Sequence, residues 1–150
     1  MLSLRKTMCM ACACIVLSLS SIAQQAEKPH LFSAFPSTIS ITENKLQQLF
    51  ALRANEETVI DFGSNFIFPC KIILTESKYS NMQSIIIRST AFDNAMLQVT
   101  RITNSTNRVS YRGRILNERA ADGFEIKWNP EGRYELRKFE TDRILEPCFQ

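Results

Sequence analysis

The stretch Gly123-Phe124-Glu125-Ile126-Lys127-Trp128-Asn129-Pro130-Glu131-Gly132-Arg133-Tyr134-Glu135-Leu136 decides the fold class. Phe124, Ile126 and Trp128 alternate with charged residues, the period of a strand with one buried face. Asn129-Pro130-Glu131-Gly132 sets Pro and then Gly in a four-residue turn, the clearest hairpin signal in the chain. Tyr134 and Leu136 resume the alternation and can answer the first three across the ladder.

The same alternation of apolar runs and turn residues repeats along the chain. Strands are expected at Gly123–Trp128 and Gly132–Phe139, and before them at Arg108–Asn117, Ala95–Thr103, Met82–Thr90, Phe66–Thr75 and Thr58–Phe62. Gly63-Ser64-Asn65, Phe92-Asp93-Asn94, Asn104–Asn107 and Ala121-Asp122 punctuate them as turns. No helix-length segment separates any two strands, so parallel crossovers are excluded. Phe66, Phe68, Ile72 and Leu74 alternate with Ile67 and Ile73, and Ile85, Ile86 and Ile87 are consecutive. Both segments read as strands buried on both faces.

One helix precedes the strands. Thr42 is a suitable N-cap and Glu43 a suitable first-turn residue for a helix over Thr42–Ala54. Leu46, Leu49 and Phe50 form its apolar face, Arg53 follows one turn on, and Asn55 is a left-handed stop. The fold class is α+β: one N-terminal helix on a roughly seven-strand antiparallel meander, which can curl into a partial barrel. Pro29 and Pro36 bracket an extended lead-in over residues 24–36, whose Leu31, Phe32 and Phe35 can pack onto the single domain of residues 37–150.

The first 23 residues have a different character. Arg5 and Lys6 precede an apolar run from Met8 to Leu19, and Ser21-Ile22-Ala23 ends in small residues. This is the layout of a secretory signal peptide cleaved between Ala23 and Gln24, and it is short for a membrane span. Ala23-Gln24-Gln25 after the apolar core resembles bacterial export leaders. The expectation is an exported protein, periplasmic or extracellular, with no membrane-embedded part after processing. Cys9-Met10-Ala11-Cys12 is a C-x-x-C inside that leader and lacks a second ligand pair.

Cleavage changes the charge. Basic residues fall from 18 to 16 against 15 acidic ones, a net charge of +1. That removes most of the electrostatic case for a nucleic-acid partner, and none is expected. Cys70 and Cys148 are the cysteines that stay, and in an oxidising compartment they are expected to pair, tying the tail to a central strand. Loop closure of that length contributes about 4 kcal/mol as an upper figure.

Catalytic chemistry finds few materials. His30 is the single histidine and lies in the lead-in, so Ser-His and Cys-His relays have no base on the scaffold. No metal site and no cofactor are expected. Asp61 and Asp93 sit beside turns, where Asp is common, and Asp142 between Glu140 and Glu146 reads as a solvated tail. Asn104-Ser105-Thr106 is a glycosylation sequon, relevant only to a eukaryotic route.

The best local feature is basic. Arg108, Arg112 and Arg114 alternate with Ser110 on one strand face, Arg101 can join them from the paired strand, and Arg88 can extend the row. Guanidinium groups in a row suit carboxylate, sulfate or phosphate. The same residues also suit a plain solvated face balanced by Glu118, Glu125 and Glu135. The functional expectation is an exported, non-catalytic module that binds a protein or an anionic envelope polymer. The alternatives are a pro-domain or inhibitor of a secreted protease, and a small carboxylate-based hydrolase.

Overall fold

The computed structural model describes residues 27–141. The leader, the Ala23–Gln24 junction and Cys148 lie outside the described residues. Among the described residues, eight strands and one helix run in the order β1 (Thr38–Ile41), α1 (Glu43–Leu49), β2 (Glu57–Asp61), β3 (Ile67–Tyr79), β4 (Met82–Ser89), β5 (Met96–Thr103), β6 (Val109–Leu116), β7 (Asp122–Trp128) and β8 (Tyr134–Glu140). The eight strands form one antiparallel sheet in the order β1-β8-β7-β6-β5-β4-β3-β2.

From β2 to β8 the chain meanders, each strand pairing with the next. β1 is the addition to the seven expected strands. It has only four residues, between Pro36 and the Thr42 cap, too few for a periodicity to show. Yet Ile39 and Ile41 both turn inward, and the strand closes the edge beside β8. The first and last described strands are therefore partners. The β1–β2 connection crosses from one sheet edge to the other and carries α1 over the concave face.

The helix is shorter than its pattern. Thr42 caps it, its hydroxyl accepting the Lys45 N–H at 3.4 Å. Leu46 and Leu49 are buried on the sheet. Phe50, Ala51 and Leu52 then donate to carbonyls three residues back, the tight bonding of a closing turn. Arg53 lies past the end, and Asn55 takes the expected left-handed conformation at φ 67°.

The sheet is curled into a half-barrel. Phe66, just before β3, and Phe124 in β7 have ring centroids 5.2 Å apart. Four strand spacings separate β3 from β7, about 19 Å of flat sheet, so the sheet must bend to bring them together. Phe32 fills the end of this trough, packed edge-on to both rings and fully buried. The lead-in is thus not extended at this point. Residues 31–34 form a turn, the Phe35 N–H donates to the Phe32 carbonyl, and Phe32 belongs to the core.

Two strands read as buried on both faces have one buried face. Ile67 is 44% and Leu74 42% exposed, while Phe68, Ile72, Ile85 and Ile87 are buried. Among the described residues, only the concave side is covered by other elements. A bulge between Ile72 and Leu74 also flips the alternation, so Leu74 shares the outer face with Ile86.

Candidate functional site

β6 holds the site. Its eight residues pair with β5 over their full length, but with β7 only at Gly113↔Ile126, Arg114↔Glu125 and Ile115↔Phe124. Continuing the ladder would set Tyr111 opposite Trp128. Instead the two strands part there. Tyr134 of β8 reaches beneath the end of β7, and its hydroxyl oxygen accepts the Tyr111 N–H at 3.0 Å. The two tyrosine rings meet edge to face at 5.5 Å. Burial pushes both phenols above their ordinary range, with the Glu43 carboxylate adding to the effect at each.

Gly113 sits at the last paired position before the parting. A Cβ there would lie 2.5 Å from the Gln98 carbonyl oxygen and 2.9 Å from Ile126 Cδ1. The strands approach too closely at this bend for any side chain. Beyond it an open cleft of about 1200 Å³ runs along β6 and through the parting. Glu43 lies on one wall, Trp128 on another, and the Arg108–Arg114 segment runs along the cleft.

Ser110, Arg112 and Arg114 lie on the outer face, since Ser110 pairs with Ile102, Arg112 with Thr100 and Arg114 with Gln98. Arg108, Arg112 and Arg114 are exposed, and among the described residues none meets a carboxylate within 4.0 Å. Two of the three acids that could balance them, Glu125 and Glu135, are engaged elsewhere, while Glu118 is exposed just past β6 and forms no ion pair among the described residues. Glu125, directly across from Arg114, turns to Lys127 at 2.6 Å, and Glu135 turns to Arg137 at 2.6 Å. Arg114 instead lies over the Phe139 ring, 5.9 Å from its centroid.

Arg101 does not join the row. Its Cα pairs with Tyr111, so its side chain takes the concave face and lies over Phe50 at 5.3 Å. Directly opposite residues share a face, and Tyr111 faces the core. Arg101 therefore contributes to a separate, smaller groove between α1 and the sheet. Arg88 is on β4, two strands from β6, across from Met96.

Trp128 shares the face of Phe124 and Ile126, as the alternation implies, but it is 59% exposed while those two are buried. β6 has left the ladder before Trp128, so nothing on that side covers it. The alternation with Phe124 and Ile126 alone would place this residue in the core. Its position, last in a strand and directly before a turn, is the available hint that it stands at an edge.

The opposite end of the sheet binds the lead-in. Asp122 is wholly buried and both its oxygens accept the Phe32 N–H, at 3.2 and 3.0 Å. His30 Nδ1 lies 3.9 Å from Asp122 and 3.8 Å from Glu140. Lys138 adds a bond from its ammonium to the Phe35 carbonyl at 2.6 Å. Cys70 is 2% exposed in the concave core, and burial pushes its thiol up to about 11.

No family model, no curated protein and no solved structure matches this chain. Among the described residues, no helix is long and apolar enough to cross a membrane.

Proposed function

We propose that the chain is an exported, non-catalytic binding module, working in the periplasm or outside the cell, whose β6–β7 cleft takes an anionic envelope polymer. The observation that carries this reading is the unpaired state of Arg108, Arg112 and Arg114 among the described residues. Of the three acids that would neutralise a plain solvated face, Glu125 and Glu135 are instead paired with Lys127 and Arg137, and Glu118, exposed just past β6, meets none of the three arginines within 4.0 Å. The row keeps its donors for a ligand.

The magnitudes favour a polymer. A single exposed ion pair contributes about 0.2–1 kcal/mol. One small anion would bind weakly, whereas a chain that engages several guanidinium groups at once gains from the linkage. Such binding should weaken as salt rises.

An inhibitor acting through the lead-in has less support. Leu31, Phe32 and Phe35 pack onto the core and do not form an apolar patch for a protease to take. The hydrolase alternative has less too: the buried Asp122 carboxylate is occupied in holding the Phe32 N–H.

The test is retention of the exported protein on a sulfated resin at low salt. Replacing Arg112 and Arg114 together by Ala should shift elution to clearly lower salt. Unchanged elution would reduce the row to a solvated face.

A further inference from the structure

The cleft carries more than charge. We infer that its ligand is a carboxylated polysaccharide, and that Trp128 is the platform on which a sugar ring stacks. This rests on the anion-binding reading of the same cleft and adds the chemical class.

Trp128 is the single tryptophan of the chain and stands 59% exposed at the cleft wall. An exposed indole forgoes the burial that its neighbours Phe124 and Ile126 gain on the same face. It is also fixed in place. Tyr134 packs against it at a centroid distance of 4.7 Å and an interplanar angle of 70°. The turn that follows is closed by the Asn129 N–H to the Arg133 carbonyl at 2.8 Å and by the Arg133 N–H to Asn129 Oδ1 at 2.9 Å. Gly132 approaches the indole from within this turn, and a Cβ on it would lie 3.7 Å from Trp128 Cζ2. The result is an aromatic surface held on strand and turn, open to solvent.

The other lining groups complete the recognition. Gln98 supplies a neutral donor and acceptor along the cleft beside Arg112 and Arg114, and the hydroxyls of Thr100 and Ser110, bonded to Ser84 and to the Ile102 carbonyl, keep lone pairs that can accept. A uronic-acid polymer presents all three complements. Its C–H face suits an indole, its hydroxyls suit amides and hydroxyls, and its carboxylates suit guanidinium groups. A polyphosphate or an acidic peptide would use the arginines and leave the indole idle. The cleft, at about 1200 Å³, exceeds the usual volume for a single small ligand and fits an oligomer.

Glu43 and Glu125 set the polarity of binding. Glu125 is held by Lys127 at 2.6 Å. Glu43, at the start of α1, faces the inner part of the cleft and disfavours carboxylates there. The ligand's charges therefore lie toward the outer face, where Arg112 and Arg114 are, and its neutral ring face toward Trp128.

The single tryptophan makes the test direct. The exported protein is titrated with an oligogalacturonate, a polyglutamate and an inorganic polyphosphate, reading Trp emission and, in parallel, heat of binding. The oligogalacturonate should bind and shift the emission, and the other two should bind more weakly and leave the emission in place. Trp128→Ala should weaken oligogalacturonate binding about tenfold while Trp128→Tyr recovers much of it. Equal binding of polyglutamate, with Trp128→Ala indistinguishable from the parent, would overturn the stacking inference and leave the anion cleft standing. Absence of binding by all three would overturn both.

Discussion

The hydroxyl of Tyr134 accepts the backbone N–H of Tyr111 across 3.0 Å, joining two strands that are not neighbours in the sheet. β7 lies between them and has already parted from β6. The side chain thus replaces a ladder bond and holds the parting open. A buried backbone donor needs an acceptor, and here a residue two strands away provides it. The cleft and the exposed Trp128 lie at that parting.

Tyr134→Phe keeps the ring and removes the acceptor. The Tyr111 N–H is then left buried and unpaired, which costs about 1–3 kcal/mol. Urea unfolding should show a lower midpoint with an unchanged slope. Tyr79→Phe, on an exposed ring, should stay within about 0.5 kcal/mol of the parent. Equal midpoints for both variants would mean that the Tyr134 bond does not hold the strands.

Phe32 is a core residue lying outside the main run of strands. Phe32→Ala should cost about 3–5 kcal/mol, the range for removing a large buried ring. Asp122→Ala should cost less, about 1–3 kcal/mol, since it leaves the Phe32 N–H unpaired without emptying the core. A melting temperature unaffected by Phe32→Ala would show that the lead-in is dispensable.

Much of this architecture is legible in the amino-acid order. The hairpin at Asn129–Gly132 closes as its Pro and Gly imply, with Gly132 at φ 78°. Ile126 pairs with Leu136 and Trp128 with Tyr134, as the alternation requires. What stays hidden has a physical cause in each case. β1 is too short to display a period. The bulge after Ile72 reverses the alternation without a sequence marker. The place of Arg101 depends on register, and a one-residue difference in pairing moves a side chain to the other face. The cleft depends on where a ladder stops, which local pattern does not encode. Gly113, in mid-strand, is the nearest thing to a signal for it.

Cys70 offers a test of the proposed bond to Cys148. In the reduced protein, burial raises the Cys70 thiol to about 11 from 9.0. The folded state then binds this proton more tightly than the unfolded one. Its contribution is fully present below pH 9 and is lost as pH rises through about 11. Between pH 8 and 10.5 reduced protein should lose about 2 kcal/mol more than Cys70→Ala does. Matching pH profiles would mean that the thiol is not held in the core. Without reductant, the unfolded protein lacking residues 1–23 should label with no thiol reagent, and two reactive thiols would rule out the proposed bond.

The most direct test of the anion cleft is where the ligand acts. Backbone, arginine side-chain and indole resonances of the protein produced without residues 1–23 are followed by NMR as a uronate or sulfated oligomer is added at low salt. Shifts should concentrate on Tyr111, Arg112, Gly113, Arg114 and the Trp128 indole, with Arg101 and the Asp122 end of the sheet unmoved. Shifts centred on Arg101 and α1, on the Asp122 end, or nowhere would contradict the anion cleft.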